Sequence, residues 1–192
     1  MNVRCYQPKD EVSWLRCRVL SFLDTAYYDN VLQEKETYEN PSIEIVVEEK
    51  GQVVGLLDLE LEEKEQEVCT ASDGLGAMMW HIAVHPDHQR QGIGEKLLRY
   101  AEEKVKQRGL SYIEAWTRDD QWVNAWYEKQ GFQKVSSYNQ VYISGEESHY
   151  FIDSKIPEVK VLSSFAHYLG NEPDIKNKFE RIYECSCYTK RL

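Results

Sequence analysis

Residues 77–108 constrain this chain most. Ala77-Met78-Met79-Trp80-His81-Ile82-Ala83-Val84 is an almost unbroken apolar run, stopped by His85-Pro86. A run of that kind and length predicts a strand buried on both faces of its sheet. After a short polar turn, residues 93–108 place Leu97, Leu98, Ala101 and Val105 on one stripe. Glu102 and Lys106 stand four apart, and Gly109 supplies a stop, so this stretch predicts an amphipathic helix. A strand covered on both faces needs helices on both sides of its sheet, which points to a mixed α/β architecture.

The flanking segments fit that frame. Residues 2–7 read as a first strand. A helical pattern starts near Asp10 and runs to about Tyr28, with Trp14, Cys17, Val19, Leu20 and Leu23 as core candidates. Asn40-Pro41 breaks the chain. Residues 43–49 and 52–61 read as two strands joined by Lys50-Gly51, an antiparallel hairpin. In the second of these, Leu57, Leu59 and Leu61 alternate with Asp58, Glu60 and Glu62, so one face is expected to be wet. Residues 110–117 predict a strand. Residues 119–130 predict a short helix with Asp119 or Asp120 as N-cap, and residues 132–144 another strand. Val159, Leu162, Ala166 and Leu169 stand at helical spacing, so residues 157–169 predict an extra helix closed by Gly170, before a last strand at 179–189. The expectation is one domain over residues 1–192, an α+β mixed sheet flanked by helices, with a C-terminal helical insertion before the last strand.

Charge narrows the partners. The chain of 192 residues has a formal net charge of −10, and residues 1–76 carry the whole excess with 7 Lys/Arg against 17 Asp/Glu. Such a chain repels phosphate backbones, so no nucleic-acid partner is expected. A cationic partner drawn to the acidic half and a merely solubilising acidic face are both open. No apolar stretch approaches the roughly 20 residues of a membrane span, and residues 1–7 carry no apolar signal region. No membrane partner and no export are expected. Cys5, Cys17, Cys69, Cys185 and Cys187 form an odd, scattered set without a CxxC pair, which suits a reduced, cytoplasmic protein.

The most specific local signal is Val84-His85-Pro86-Asp87-His88-Gln89-Arg90-Gln91-Gly92-Ile93-Gly94. A buried strand ends, a turn follows, and a helix opens at two glycines. The first turn of a helix offers free N–H groups and partial positive charge, and glycine lets an anion come close. Arg90 adds charge at the rim. This predicts an anion site; a tight turn with Gly92 or Gly94 packed for steric reasons is the plain alternative. Neither a Walker A loop nor a full dinucleotide fingerprint is present. His85 and His88 lack matching ligands, so no metal is expected.

Gln89-Arg90-Gln91-Gly92-Ile93-Gly94 resembles the Gln/Arg-x-x-Gly-x-Gly/Ala signature of the GNAT superfamily of N-acetyltransferases. Ala125-Trp126-Tyr127-Glu128-Lys129-Gln130-Gly131-Phe132 is similar to that family's second block, at matching spacing. The resemblance in motif covers residues 77–134. It implies the acyl-CoA N-acyltransferase fold, with acetyl-coenzyme A as co-substrate in a cleft between two parallel strands, here 77–84 and 110–117. The pantetheine arm would lie along Ile82, Ala83 and Val84, with an N–H near Ala83 polarising the thioester carbonyl. The pyrophosphate would sit on Gln89, Arg90, Gln91, Gly92, Ile93 and Gly94. Tyr127 matches the tyrosine often used as general acid toward the leaving thiolate; a ring packed under the cofactor is the alternative.

The chain departs from the pattern at the base. No carboxylate stands between Leu75 and Val84. The candidates are His81, whose imidazole suits neutral pH, and Glu114, a charge in an apolar strand. A water chain, Asp58, Glu60 or bare solvent are also open. Asp120 stands where the family often has an Asn, leaving Asn124, one turn later, as a weaker candidate for the coenzyme. For the acceptor, Asp24, Tyr27, Tyr28, Asp29, Asp58, Glu60, Trp116, Trp122 and Trp126 suit a cationic amine through charge and cation–π contact. The resemblance thus implies direct transfer from acetyl-coenzyme A to a primary amine of a small molecule or peptide, in a ternary complex. A non-catalytic acyl-CoA-binding module and an unrelated phosphate binder are the rivals. The 157–169 helix is open to three places: over the pocket, on the sheet edge, or in a homodimer contact.

Overall fold

The computed structural model describes residues 2–72 and 74–192. Its centre is one eight-stranded sheet: β1 (Asn2–Cys5), β2 (Ser42–Glu49), β3 (Gln52–Leu61), β4 (Gly76–Val84), β5 (Tyr112–Thr117), β6 (Gln133–Ser144), β7 (Ser163–Tyr168) and β8 (Arg181–Arg191). The spatial order is β1-β2-β3-β4-β5-β8-β6-β7. β4 and β5 run parallel, and the other neighbours are antiparallel. Four α-helices accompany the described strands: α1 (Glu11–Phe22), α2 (Ile93–Gln107), α3 (Gln121–Lys129) and the single-turn α4 (Glu147–Phe151).

The β2–β3 turn forms as expected. Lys50 and Gly51 both have positive φ, 50° and 79°, which matches the strand twist. One face of the sheet is covered by α2, whose Ile93, Leu97, Leu98, Ala101 and Val105 pack with Ile43, Ile45, Val47, Leu57 and Leu59. The other is covered by α1, whose Trp14 and Cys17 meet Val46, Val53, Leu56 and Ala83. α2 packs tightly on the sheet over Gly55. A Cβ there would lie 2.6 Å from Ile93 Cγ2 and 3.2 Å from Leu97 Cδ1.

Four expectations are corrected. The helical pattern expected to reach Tyr28 stops at Phe22, and Leu20 and Leu23 are exposed while Arg18 is buried. The acidic face of β3 is not wet: Asp58, Glu60 and Glu62 are all buried, with polar partners for Asp58 and Glu60 from the irregular segment 23–40 and for Glu62 from the Cys69 and Gly76 N–H groups. Asp120 holds the N-cap position of α3 as expected, and what is corrected is its side chain, which makes no capping bond and instead accepts the Ala26 N–H at 3.0–3.1 Å.

The helix expected at 157–169 does not form. Residues 163–168 are β7, paired with β6 from Asn139↔Tyr168 to Ser144↔Ser163. Leu162 and Leu169, two residues of the helical stripe, are 72% and 79% exposed. An amphipathic helix needs something to bury its stripe against, and none is offered here. The long β6 offers unpaired backbone groups instead. Phe165 and His167 then fall on one strand face, their rings 6.3 Å from Tyr142 and 4.3 Å from Tyr138.

Gly55→Ala is expected to destabilise the protein by about 1–3 kcal/mol, since Ile93 is already buried and has nowhere to go. Urea unfolding of both proteins reads this directly; an unchanged midpoint would mean that α2 can lift from β3 at no cost.

Candidate functional site

β4 and β5 pair from Gly76↔Tyr112 to Met79↔Ala115 and no further, although β4 continues to Val84 and β5 to Thr117. The strands therefore part at Met79. A β-bulge accounts for it. Across β3, Asp58 faces His81 while Leu59 faces Met79, leaving Trp80 as the extra residue. The half-exposed Trp80 is fixed by its indole N–H, which donates to Glu60 Oε2 at 2.7 Å.

Past the bulge, alternation decides which backbone groups face the gap. The His85 N–H donates to Val54 O at 2.9 Å, on the β3 side. Ala83 and His81 then also turn toward β3, while Ile82 and Val84 turn their N–H and C=O groups toward the gap. The amide expected near Ala83 is thus not Ala83's own, which pairs with Leu56.

The turn after β4 lies at the mouth of this gap. Pro86–His88 form one tight helical turn. Arg90 and Gly92 then take positive φ, 59° and 77°, and Gly92 is the N-cap of α2. A Cβ on Gly92 would touch nothing within 4 Å, so its backbone conformation, not protein packing, requires glycine. Gly94 differs: a Cβ there would meet Trp126 Cζ2 at 3.4 Å. The Lys96 N–H is the first to bond back along the helix, to Gly92 O. The N–H groups of Ile93, Gly94 and Glu95 therefore have no helical acceptor. Gln89, Arg90, Gln91 and Gly92 are exposed.

Tyr127 comes from α3 to the point where the strands part. Its Oη lies 3.9 Å from Met79 Sδ. Its ring is stacked on Tyr188, centroids 5.3 Å apart and planes at 14°, with Phe132 and Trp126 at its edges. Burial pushes the Tyr127 hydroxyl well above the ordinary tyrosine value, so it holds its proton at neutral pH. Asn124 is committed elsewhere: Nδ2 donates to the Arg118 and Asp120 carbonyls, and Oδ1 accepts from Tyr188 Oη at 2.9 Å.

The base candidates differ sharply in surroundings. Glu114 is fully buried and accepts from the Thr70 N–H, the Thr70 hydroxyl, the Ala71 N–H and the Trp116 indole at 2.8–3.0 Å. His81 bridges two groups: Nε2 meets Glu36 Oε2 at 2.5 Å, and Nδ1 meets Arg18 Nε at 3.4 Å. The His81 ring holds the Glu36 carboxyl below the usual carboxylate range. Beside it, the Lys35 ammonium bonds Asp58 and Glu44, each at 2.7 Å, within 5.0–5.2 Å of the Tyr6, Trp14 and Tyr38 rings. Burial works against that ammonium, but the two carboxylates outweigh it and raise its pKa.

Of the residues read as an acceptor site, Tyr27 is at the gap: its Oη accepts the Arg118 N–H at 3.2 Å, just beyond β5. Trp122 is exposed, and Asp58 and Glu60 are spent on protein donors. Sequence reasoning missed Arg18, Lys35, Glu36 and Arg118. They carry no motif, and an irregular segment places the middle two. Among the described residues, no group of three or more His, Cys, Asp or Glu could hold a metal, and no helix is long and apolar enough to cross a membrane.

Parallel strands that part beside a glycine-opened helix, with a tyrosine at the fork, define an acyltransferase-type cleft. The model of the acetyltransferase (GNAT) family matches residues 9–132. The chain belongs to the GNAT family of N-acetyltransferases. Among curated proteins it is 30% identical over 64 residues to an uncharacterised ycf52-like N-acetyltransferase of Prochlorococcus marinus, covering 33% of this chain and 34% of that protein. It is 31% identical over 66 residues to the uncharacterised N-acetyltransferase ycf52 of Pyropia yezoensis, covering 34% and 37%. The matches thus span about a third of those relatives' length. A GNAT-family acetyltransferase of Streptococcus pneumoniae shares the fold at TM-score 0.62 and 14% identity, covering 100% of this chain and 99% of that one. The ribosomal-protein-S18-alanine N-acetyltransferase of Escherichia coli does so at 0.60 and 13%, covering 100% and 93%.

The Glu36–His81 contact carries a pH signature. A carboxylate whose folded pKa is depressed stabilises the fold above its unfolded value, about 4.3, and loses that contribution as pH falls through the folded value. Glu36→Gln is therefore expected to lower the urea midpoint at about pH 6 and to matter less at about pH 3. An equal effect at both would remove the pairing.

Proposed function

We propose that this chain transfers the acetyl group of acetyl-coenzyme A to a primary amine, directly and within a ternary complex. The observation that carries this is the fork at Met79, with unpaired strand edge on one side and the left-handed Gly92 turn at its mouth. The residues suit the co-substrate. Ile82 offers strand-edge N–H and C=O groups, and Val84 its N–H, to the amides of a pantetheine arm; the Val84 C=O already accepts from Gln89 Nε2 at 3.3 Å. The N–H groups of Ile93, Gly94 and Glu95 suit a pyrophosphate, with Arg90 at the rim. A structure of a PaiA N-acetyltransferase from Thermoplasma acidophilum in complex with coenzyme A shares this fold at TM-score 0.54 and 13% identity.

Tyr127 keeps its proton, and its hydroxyl meets the Met79 thioether at 3.9 Å, which fits a donor to a leaving thiolate. His81 fits a proton acceptor better than Glu114 does once its long 3.4 Å contact from Arg18 Nε gives way and frees Nδ1. His81 lies next to the bulge, and its partner Glu36, 45% exposed, leads to solvent. Glu114 is occupied by the 70–71 backbone, so its role is to hold that segment against β5. Asn124 positions α3 rather than touching the coenzyme.

Acetyl-coenzyme A consumption across a panel of amines, with products read by mass spectrometry, tests the reading. Tyr127→Phe is expected to cut turnover about 100-fold at nearly unchanged coenzyme affinity. Gly92→Val is expected to abolish coenzyme binding through its strained φ. Coenzyme binding without turnover on any amine would favour a non-catalytic acyl-CoA module. For Glu114→Gln the expectation is a loss of roughly 1–3 kcal/mol in stability, because an amide cannot satisfy all those donors. Its pH–rate profile should keep the wild-type shape; a lost acidic limb would restore Glu114 as the base.

A further inference from the structure

Most of the acid oxygens that made a cationic acceptor attractive are consumed by the protein, with Asp58 Oδ1 buried and left without a hydrogen-bond partner. Asp58 is held by Lys35 and Tyr38, Glu60 by Trp80 and the Asn40 N–H, and Glu62 by the Cys69 and Gly76 N–H groups. The arginines at the end of β5 are in the opposite condition. Arg118, one residue past β5, is 5% exposed. Its donors go to neutral acceptors: Gln140 Oε1, Ala26 O and Tyr142 Oη. Among the described residues no carboxylate lies within ion-pair distance of it. Asp120, which faces the same segment, is spent on the Ala26 N–H. A buried guanidinium hydrogen-bonded only to neutral acceptors is costly; Asp29 and Asp120 act on it from beyond ion-pair distance, and an anion in direct contact relieves that cost further.

Arg181, at the start of β8, shares the cluster. Its Cζ lies 3.9 Å from the Tyr142 ring centroid, and Arg118 Cζ lies 5.3 Å from the same centroid. Both guanidiniums also lie within 5.5 Å of the Tyr183 ring. Arg181 Nη1 bonds Asp29 Oδ2 at 2.6 Å, and Nε bonds Tyr183 Oη at 3.2 Å. Its Nη2 is buried without any hydrogen-bond partner. The outer wall is open: Tyr28, 4.6 Å beneath the Arg181 guanidinium, is 47% exposed, and Asp29 is 38% exposed. So two guanidinium groups, one with an idle donor, and a set of tyrosine rings converge past the end of β5.

We infer that the acceptor amine carries a carboxylate, and that Arg181, backed by Arg118, receives it against Tyr28, Tyr142 and Tyr183. A planar carboxylate matches the fork of a guanidinium, and the rings suit an apolar or aromatic body between the amine and the anion. Asp29 holds the Arg181 fork when no acceptor is present. This rests on the acetyltransferase reading only for the word acceptor; the anion site stands on its own geometry.

The test uses the full chain and needs no turnover. Phenylacetate and phenylacetamide, matched in shape and different in charge, are titrated calorimetrically. Phenylacetate is expected to bind the wild type at least about tenfold more tightly. Arg181→Gln is expected to erase that preference, and Asp29→Asn, which removes the competing carboxylate, to strengthen phenylacetate binding several-fold. If Arg181→Gln does not fold, Asp29→Asn decides. Equal or absent binding of the two probes to the wild type overturns the inference, as does a preference that survives Arg181→Gln or ignores Asp29→Asn. Acetyl transfer to aminomethyl-phenylacetate against its amide is measured in parallel. Probe binding without transfer to any amine would count against the acetyltransferase reading alone.

Discussion

The extra residue in β4 is the constraint on which the rest depends. A regular β4 could have continued its ladder along β5, and the sheet would have closed. With Trp80 inserted, Met79 keeps its place opposite Ala115, but the next residues do not. The parallel ladder stops, yet β4 stays bonded to β3, so the strand remains rigid where it has lost one neighbour. That combination leaves strand-edge groups without a neighbouring strand but held still, the Val84 C=O meeting only the Gln89 side chain, which is what an extended amide-bearing ligand can pair with. α2 is then pressed onto β3 at Gly55, which fixes its N-terminal N–H groups at the same end. Tyr127 reaches the fork from the far side, held by Tyr188 and Phe132.

A second dependence runs through buried charge. Segment 23–40 has little regular structure, yet it forms one wall of the site. It is fastened by side chains: Ala26 by Asp120 and Arg118, Asn30 by Arg18, Lys35 by Asp58 and Glu44, Glu36 by His81. Removing one member of a buried pair leaves an uncompensated charge, which costs more than the pair contributes. The wall is therefore specified, but by interactions that break individually, and it is the part of the site that sequence change can reshape without disturbing the sheet.

This separates what could be read in the sequence from what could not. The β2–β3 hairpin, the buried β4, α2 with its glycine turn, and α3 with Tyr127 were legible because each depends on local chemistry: period, turn residues, helix stops. Three features were not. The bulge at Trp80 is one residue of register, and no residue type announces it. The burial of Asp58 and Glu60 depends on a segment twenty or more residues upstream, and that of Glu62 on the loop after β3, neither of which carries a pattern of its own. Residues 157–169 spell a helical stripe but fold as a coil and a strand, because a stripe predicts a helix only where a partner surface exists, and β6 offered a ladder instead. Arg18 and Arg118 were hidden for a related reason: a buried arginine looks like a surface one until its acceptors are known.

The acidic half of the chain shows how this matters for function. A net charge of −10, carried by residues 1–76, suggests an attraction for cations when every carboxylate is counted as free. The structure removes the most suggestive ones from that count. Asp58, Glu60 and Glu62 are neutralised or bonded at short range, and a ligand would have to displace Lys35, Trp80 or backbone amides to reach them. Long-range charge still steers encounter, but it falls off over a Debye length of roughly 8 Å in physiological salt. At the fork, local composition decides. Past the end of β5 the group with an idle donor is the Arg181 guanidinium, so the proposed acceptor site is opposite in sign to the net charge of the protein.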